Sequence, residues 1–208
     1  GNEHDALPLI PRGSAWLFVE LGGDSKEDSD GQAHHLVDAL KGRRRADVRW
    51  KLFDDPKEEH VVWQVREGAL GATAWVKGEP DSWPGWEDSA VPPEKVGPYL
   101  RDLRALMGKH GYHPAIYGHF GQGCLHCRVG FDLYTNPGLT NFRAFLDDAA
   151  ELVVRYGGSL SGEHGDGQAR AELLPKMFGP ELMQAMREFK RAWDPAGKMN
   201  PGKVVDPY

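Results

Sequence analysis

Along this chain, apolar residues recur at helical spacing in several long stretches, with short apolar runs between them. Leu36, Val37 and Leu40 share one face of a helix predicted over residues 32–41. Pro56 heads a second helical stretch, where its missing N–H costs nothing. Val61, Val62, Val65, Ala69 and Leu70 form its stripe, with Trp63 and Arg66 on its sides. Pro92-Pro93 opens a third, in which Val96, Tyr99, Leu100, Leu103, Leu106 and Met107 keep the spacing up to Gly108 and Gly111. A fourth follows an expected turn at Asn136-Pro137-Gly138. It turns Leu139, Phe142, Phe145, Leu146, Ala149, Leu152 and Val153 to one side, and Gly157-Gly158 stops it. After a short helix over 169–174, the last runs from 180 to 193 and is lined by Leu182, Met183, Met186, Phe189 and Trp193, with the methionines read as core rather than as a cofactor box.

The short runs predict strands over 15–21, 47–53, 72–76 and 87–91. Residues 22–31 are acidic and poor in apolar groups, so a mobile loop is expected there, and 78–85 is a loop by composition. The stretch from Tyr117 to Cys127 predicts a hairpin turning at Gln122-Gly123, because a two-residue turn wants a glycine that tolerates positive φ. Short connections and a hairpin favour an antiparallel sheet with helices packed on one face. The expected class is α+β, ferredoxin-like in type, as one domain over 1–208 without repeats or an internal boundary.

Composition narrows the function. The chain has 208 residues, 40% apolar and 27% charged, which suits one sizeable core. A formal charge of −6 argues against a general nucleic-acid or membrane-surface binder. No apolar run approaches the roughly 20 residues of a spanning helix, and the start is no signal peptide. Residue 1 is Gly, so the chain reads as an excised piece of a longer protein. Its two cysteines, Cys124 and Cys127, form one CxxC, too few for a four-cysteine cluster. Alternation turns Cys127 into the core and leaves Cys124 beside His126. The scarcity of cysteine fits a reducing cytoplasm.

The hairpin carries the chemistry. A turn at Gln122-Gly123 makes His119 and His126 direct cross-strand partners, with Cβ atoms roughly 4.5–5.5 Å apart. Two imidazoles so placed reach one divalent ion at about 2.0–2.1 Å each. They need a third ligand, which Ser161-Gly162-Glu163-His164-Gly165 can offer. Adjacent residues in an extended segment diverge, so one of Glu163 and His164 would face the ion and the other a substrate. From spacing alone the plainer readings stay open: two polar residues on a solvated strand face, and a polar surface loop.

Gly118-His119-Phe120-Gly121-Gln122-Gly123-Cys124-Leu125-His126 resembles the GHxGDGNxH signature of the C-terminal domain of FAD-linked oxidases. That superfamily holds D-lactate, glycolate and D-2-hydroxyglutarate dehydrogenases. The stretch from Ser161 to Lys203, ending in Asp194-Pro195-Ala196-Gly197-Lys198-Met199-Asn200-Pro201-Gly202-Lys203, resembles the closing part of the same domain. The resemblance implies a substrate cap with His119, His126 and Glu163 binding zinc or manganese and His164 as catalytic base. It implies Arg66 as a carboxylate-binding arginine, with Lys77 and Arg128 as weaker candidates, and Asn200 as a contact to the flavin. The flavin itself would be FAD, held mainly by a preceding domain of the same parent chain, and the substrate a D-2-hydroxy acid oxidised to the 2-oxo acid. Gln122, Cys124 and Arg128 depart from the pattern, which usually has Asp, Asn and Asn there. Such departures resemble longer family members that append an iron–sulfur domain. Location is expected in the cytoplasm, including the inner face of the membrane; dimerisation is left open. Two other classes compete with this reading: a non-catalytic interaction module and a stand-alone metal hydrolase.

Overall fold

The computed structural model describes residues 9–42, 49–68, 71, 73 and 81–208. The chain divides into two compact units, residues 1–70 and 71–208. In the first, residues 15–21 form no strand ladder among the described residues, and Trp16, Leu17 and Val19 are exposed. A strand needs a partner to satisfy its backbone. The strand expected over 72–76 lies largely outside the described residues, as do the first two positions of 47–53; positions 49–53 carry no ladder.

The acidic stretch expected to be a mobile loop instead starts helix α1, Lys26–Gly42. Ser25 Oγ accepts the Asp28 N–H at 3.2 Å, Glu27 and Asp28 sit in the first turn, and Lys26 pairs with Asp30 one turn on. These local contacts favour a helix start whatever the apolar content. Helix α2, Pro56–Glu67, begins at the predicted proline, and Asp55 caps it by accepting the Lys57 N–H at 2.8 Å. Val62 is its buried residue.

The second unit is α+β. Strands β1 (Ser89–Ala90), β2 (Ala115–His119) and β3 (Cys124–Arg128) form an antiparallel sheet in the order β1-β3-β2. Helix α3, Val96–Lys109, lies between β1 and β2 in the chain and buries Val96, Tyr99, Leu103 and Met107, as its spacing predicts. Helix α4, Asn136–Arg155, buries Phe145, Leu146, Ala149, Ala150, Leu152 and Val153. Asn136, Pro137 and Gly138 are its first turn rather than a turn before it, because Thr135 Oγ1 accepts the Gly138 N–H and Pro137 has no N–H to lose. Helix α5, Leu174–Trp193, breaks at Gly179 (φ 72°, ψ 172°) immediately before Pro180. Of its predicted lining, Met183 is buried and Met186 partly so, in keeping with the methionines' reading as core, whereas Leu182, Phe189 and Trp193 are exposed. Helical spacing marks a stripe; it does not say what covers it. No helix among the described residues is long and apolar enough to cross a membrane.

Alternation along β3 divides the unit. Leu125 and Cys127, with Val129 beyond, join the core shared with α3 and α4, while Cys124, His126 and Arg128 take the opposite face. The register differs from expectation: His119 pairs with Cys124, Gly118 with Leu125 and Tyr117 with His126. The connection is a 3-10 turn over Phe120–Gln122 closed by Gly123 at φ 82°. A two-residue turn of the I′ type would have demanded positive φ at Gln122 as well. The Gly123 carbonyl also accepts the Val91 N–H at 3.0 Å, and an ideal Cβ at Gly123 would lie 1.8 Å from the Val91 carbonyl oxygen.

Past α5 the chain folds back on itself. Asp194 accepts the Lys198 and Met199 N–H groups at 2.8 Å each, and Val204 N reaches the Gly167 carbonyl at 2.7 Å. The Lys190 ammonium, with those two amides, holds the Asp194 carboxyl down at about 2. A depressed carboxyl stabilises above its unfolded value of about 3.9 and ceases to as pH falls through the folded value. The Lys198 and Met199 amide resonances are therefore expected to titrate together with an acid midpoint near 2. A midpoint at the ordinary carboxyl value would show that the loop is not closed in this way.

Candidate functional site

The polar face of the hairpin meets the segment from Ser159 to His164, and Asp88 joins them. Ser159 and Ala90 exchange backbone hydrogen bonds (2.8 and 3.1 Å), and Gly162 N reaches the Asp88 carbonyl at 2.7 Å. A side chain at position 162 would press on Ala90 Cβ (2.9 Å) and Cys124 Sγ (3.2 Å), so glycine permits this approach. The Asp88 carboxylate accepts Ser161 Oγ at 2.5 Å, Glu163 N at 3.1 Å, His164 N at 2.8 Å and the Cys124 thiol at 3.4 Å. Burial pushes this carboxyl up, but those donors outweigh it and hold it below the usual carboxylate range. Asp88 is thus the peg on which the loop hangs.

The structure brings His119, His126, Glu163 and His164 together. His119 and His126 are diagonal rather than opposite, because the register is shifted by two, yet a shift of two keeps both on one face; their rings meet edge to face at 5.7 Å. His126 Nε2 lies 3.3 Å from Glu163 Oε2, and His119 Nε2 lies 3.8 Å from Glu163 Oε1. Glu163 and His164 do not diverge to separate places: His164 stacks on His126 at 5.3 Å between centroids, so the two neighbours flank one imidazole. Residues 161–164 bend around Asp88 instead of running extended.

Hydrogen bonding decides which atoms are free. His126 Nδ1 sits 2.8 Å from the Glu87 carbonyl, which can only accept, so Nδ1 carries a proton and donates. A neutral ring then turns a bare Nε2 toward the Glu163 carboxylate, an approach satisfied by a proton or by a metal cation between them. Two ligand atoms on one tetrahedral ion stand about 3.3 Å apart when each bond is 2.0–2.1 Å. The pairs from Glu163 to the two imidazoles match that spacing or slightly exceed it. Asp88, His126, Glu163 and His164 also form a group whose ligand atoms all lie within 4.8 Å of one another. His119 lies outside that group, but Asp88 is committed to its donors and His164 Nδ1 to Glu87, so His126 and Glu163, with His119 Nε2 3.8 Å from Glu163 Oε1, are the atoms left to face a divalent ion.

His164 Nδ1 is 2.7 Å from Glu87 Oε1, and that contact raises its pKa above the ordinary histidine value. Burial pushes the Cys124 thiol up to about 12, so it stays protonated 4.0 Å from His126 Nε2, a neighbour behind the candidate ligands. Cys127 is fully buried on the core face, as alternation predicts. Arg128 ends β3 on the site face, hydrogen-bonds Tyr117 and leaves its Nε without a partner among the described residues. Arg66 lies in the last turn of α2, in the first unit, where a cation suits the helix C-terminus. Lys77 lies outside the described residues. Asn200 is exposed in the loop after α5, at φ 46°.

Sequence reasoning missed Glu87, Asp88 and Arg170. Arg170 is buried behind the acidic pair: its guanidinium lies over the Trp86 ring at 5.2 Å and donates to the Gly85 carbonyl at 2.8 Å. Burial lowers its pKa, and Glu87, Asp88 and Asp166 oppose that. The only signal in the sequence was two adjacent carboxylates before a short strand, which resembles ordinary surface.

The family described as FAD linked oxidases, C-terminal domain, matches residues 1–204. A D-2-hydroxyglutarate dehydrogenase of Pantoea ananatis is 34% identical over 195 residues, which cover 92% of this chain and 19% of that protein. One of Pseudomonas putida is 39% identical over 191 residues, 91% of this chain and 19% of that protein. A D-lactate dehydrogenase of Archaeoglobus fulgidus is 36% identical over 118 residues, 57% of this chain and 26% of that protein. The chain thus spans about a fifth of the length of the D-2-hydroxyglutarate dehydrogenases it matches. With a match running nearly end to end, the chain belongs to the C-terminal domain family of FAD-linked oxidases.

Proposed function

We propose that this chain is the substrate- and metal-binding part of a flavin-dependent dehydrogenase that oxidises a D-2-hydroxy acid to the 2-oxo acid. The observation that carries the reading is the convergence of the His119 and His126 Nε2 atoms on the two oxygens of Glu163, at 3.8 and 3.3 Å. Two imidazoles and one carboxylate suit a catalytic divalent ion such as zinc or manganese. Such an ion, when bound, supplies the positive charge that acidifies a substrate hydroxyl, and FAD, when bound, supplies the hydride acceptor.

The remaining steps belong to the chain's own side chains. His164, held at Nδ1 by Glu87, accepts the hydroxyl proton at Nε2 as the hydride leaves C2 and the carbonyl forms. Arg128 presents a cation on the same face for a substrate carboxylate, and Arg66 and Lys77 are further candidates for that role. Asn200 is proposed to meet the flavin from the returning tail. The FAD-binding domain of the parent protein is the expected partner, and the relatives named D-2-hydroxyglutarate and D-lactate dehydrogenases support this substrate class.

Metal analysis tests the reading. The purified chain loaded with zinc and then desalted is expected to retain about one equivalent, and a His119→Ala, His126→Ala double variant almost none. Equal retention by both, or none by either, removes the metal from the proposal.

A further inference from the structure

Glu87 stands just before β1 and touches two histidines through two different atoms. Its backbone carbonyl takes the His126 Nδ1 proton at 2.8 Å, and its side-chain Oε1 lies 2.7 Å from His164 Nδ1. The two imidazoles are stacked 5.3 Å apart with only 7° between their planes. In each ring Nε2 lies across from Nδ1, so both Nε2 atoms point away from residue 87.

We infer that Glu87 is a positioning residue which sets the tautomer of both imidazoles, one through its backbone and one through its carboxylate. A carboxylate or carbonyl on Nδ1 requires the proton there and leaves the lone pair on Nε2. An imidazole free in water favours the opposite tautomer, with Nε2 protonated. Without the Glu87 contact, His164 would therefore present a donor where a proton acceptor is needed. The inference rests on the reading of His164 as that acceptor. It adds a division of labour: the His126 contact survives any side-chain replacement at position 87, and the His164 contact does not.

The test is the long-range proton–nitrogen correlation spectrum of the histidine rings in the metal-free 208-residue chain, recorded well above the ordinary histidine pKa of about 6.5. Both His126 and His164 are expected in the Nδ1–H form. In Glu87→Ala, and in Glu87→Met, which keeps the length but not the acceptor, His164 should change to the Nε2–H form while His126 stays. In Glu87→Gln the amide oxygen still accepts, so His164 should remain Nδ1–H. The unchanged His126 signal serves as an internal check that the site is folded. A wild-type His164 protonated on Nε2, or one unmoved in both apolar variants, overturns the inference. Activity of a His164→Asn enzyme bears on the identity of the base; the spectra bear on Glu87 alone.

Discussion

Replacing His164 with Asn in the flavin-bound full-length protein is expected to slow flavin reduction by about 10²- to 10⁴-fold, the usual loss when a positioned proton acceptor is removed. Asparagine keeps a polar group of similar reach but cannot take up a proton near neutrality. The side chain of His164 is 52% exposed, whereas its backbone N–H is fixed on Asp88 at 2.8 Å. The substitution should therefore leave the loop in place and remove only the chemistry. Rapid-mixing measurement of flavin bleaching without oxygen reads the step directly. The loss should fall on the rate of reduction, with the substrate concentration for half-saturation changing little. A His164→Asn enzyme within threefold of the parent would sink the assignment of the base.

The second large effect is structural. Asp88 is 2% exposed and receives the Ser161 hydroxyl, the Glu163 and His164 amides and the Cys124 thiol. Asp88→Ala removes the acceptor and leaves those donors beside a cavity, at a cost of about 3 kcal/mol or more, since hydrogen bonds to a buried charge are the expensive ones to lose. The urea midpoint should fall with little change in slope. Zinc retention should fall with it, because Glu163 would no longer be held toward the imidazoles. Asp88→Asn keeps one acceptor oxygen but points an NH₂ group at other donors, so it should lie between the two. A midpoint loss worth less than about 1 kcal/mol would mean that the loop is anchored elsewhere.

Much of this was legible in the chain, for identifiable reasons. The stripes of α3 and α4 gave the buried faces because both helices pack on a core and spacing then reports burial. The candidate ligands were legible because glycine-punctuated motifs mark both the hairpin and the loop after α4. Register was not, since Phe120 to Gly123 accommodates either a two-residue turn or the longer one observed, and only the closed contact with Val91 separates them. The helical start at Lys26 was hidden by an acidic composition that suggested disorder, although the same acids sit favourably in its first turn. Glu87 and Asp88 were illegible because their roles depend on residues more than seventy positions away, such as Ser161 and His164. The exposed stripe of α5 is the converse case: its periodicity is plain, but burial depends on what packs against it, and Leu182, Phe189 and Trp193 are left open.

The division of labour along β3 has a consequence for how such a hairpin tolerates change. Even-numbered positions from Cys124 to Arg128 serve the site and odd-numbered ones serve the interior. Lengthening or shortening the connection by two residues slides the strands but keeps every imidazole on its side. A change of one would send His126 among the aromatic rings of the interior and bring Leu125 and Cys127 out in its place. Insertions and deletions at this tip should therefore be accepted in pairs and rejected singly, so that the reading frame of the pleat, more than the identity of the turn, protects the chemistry.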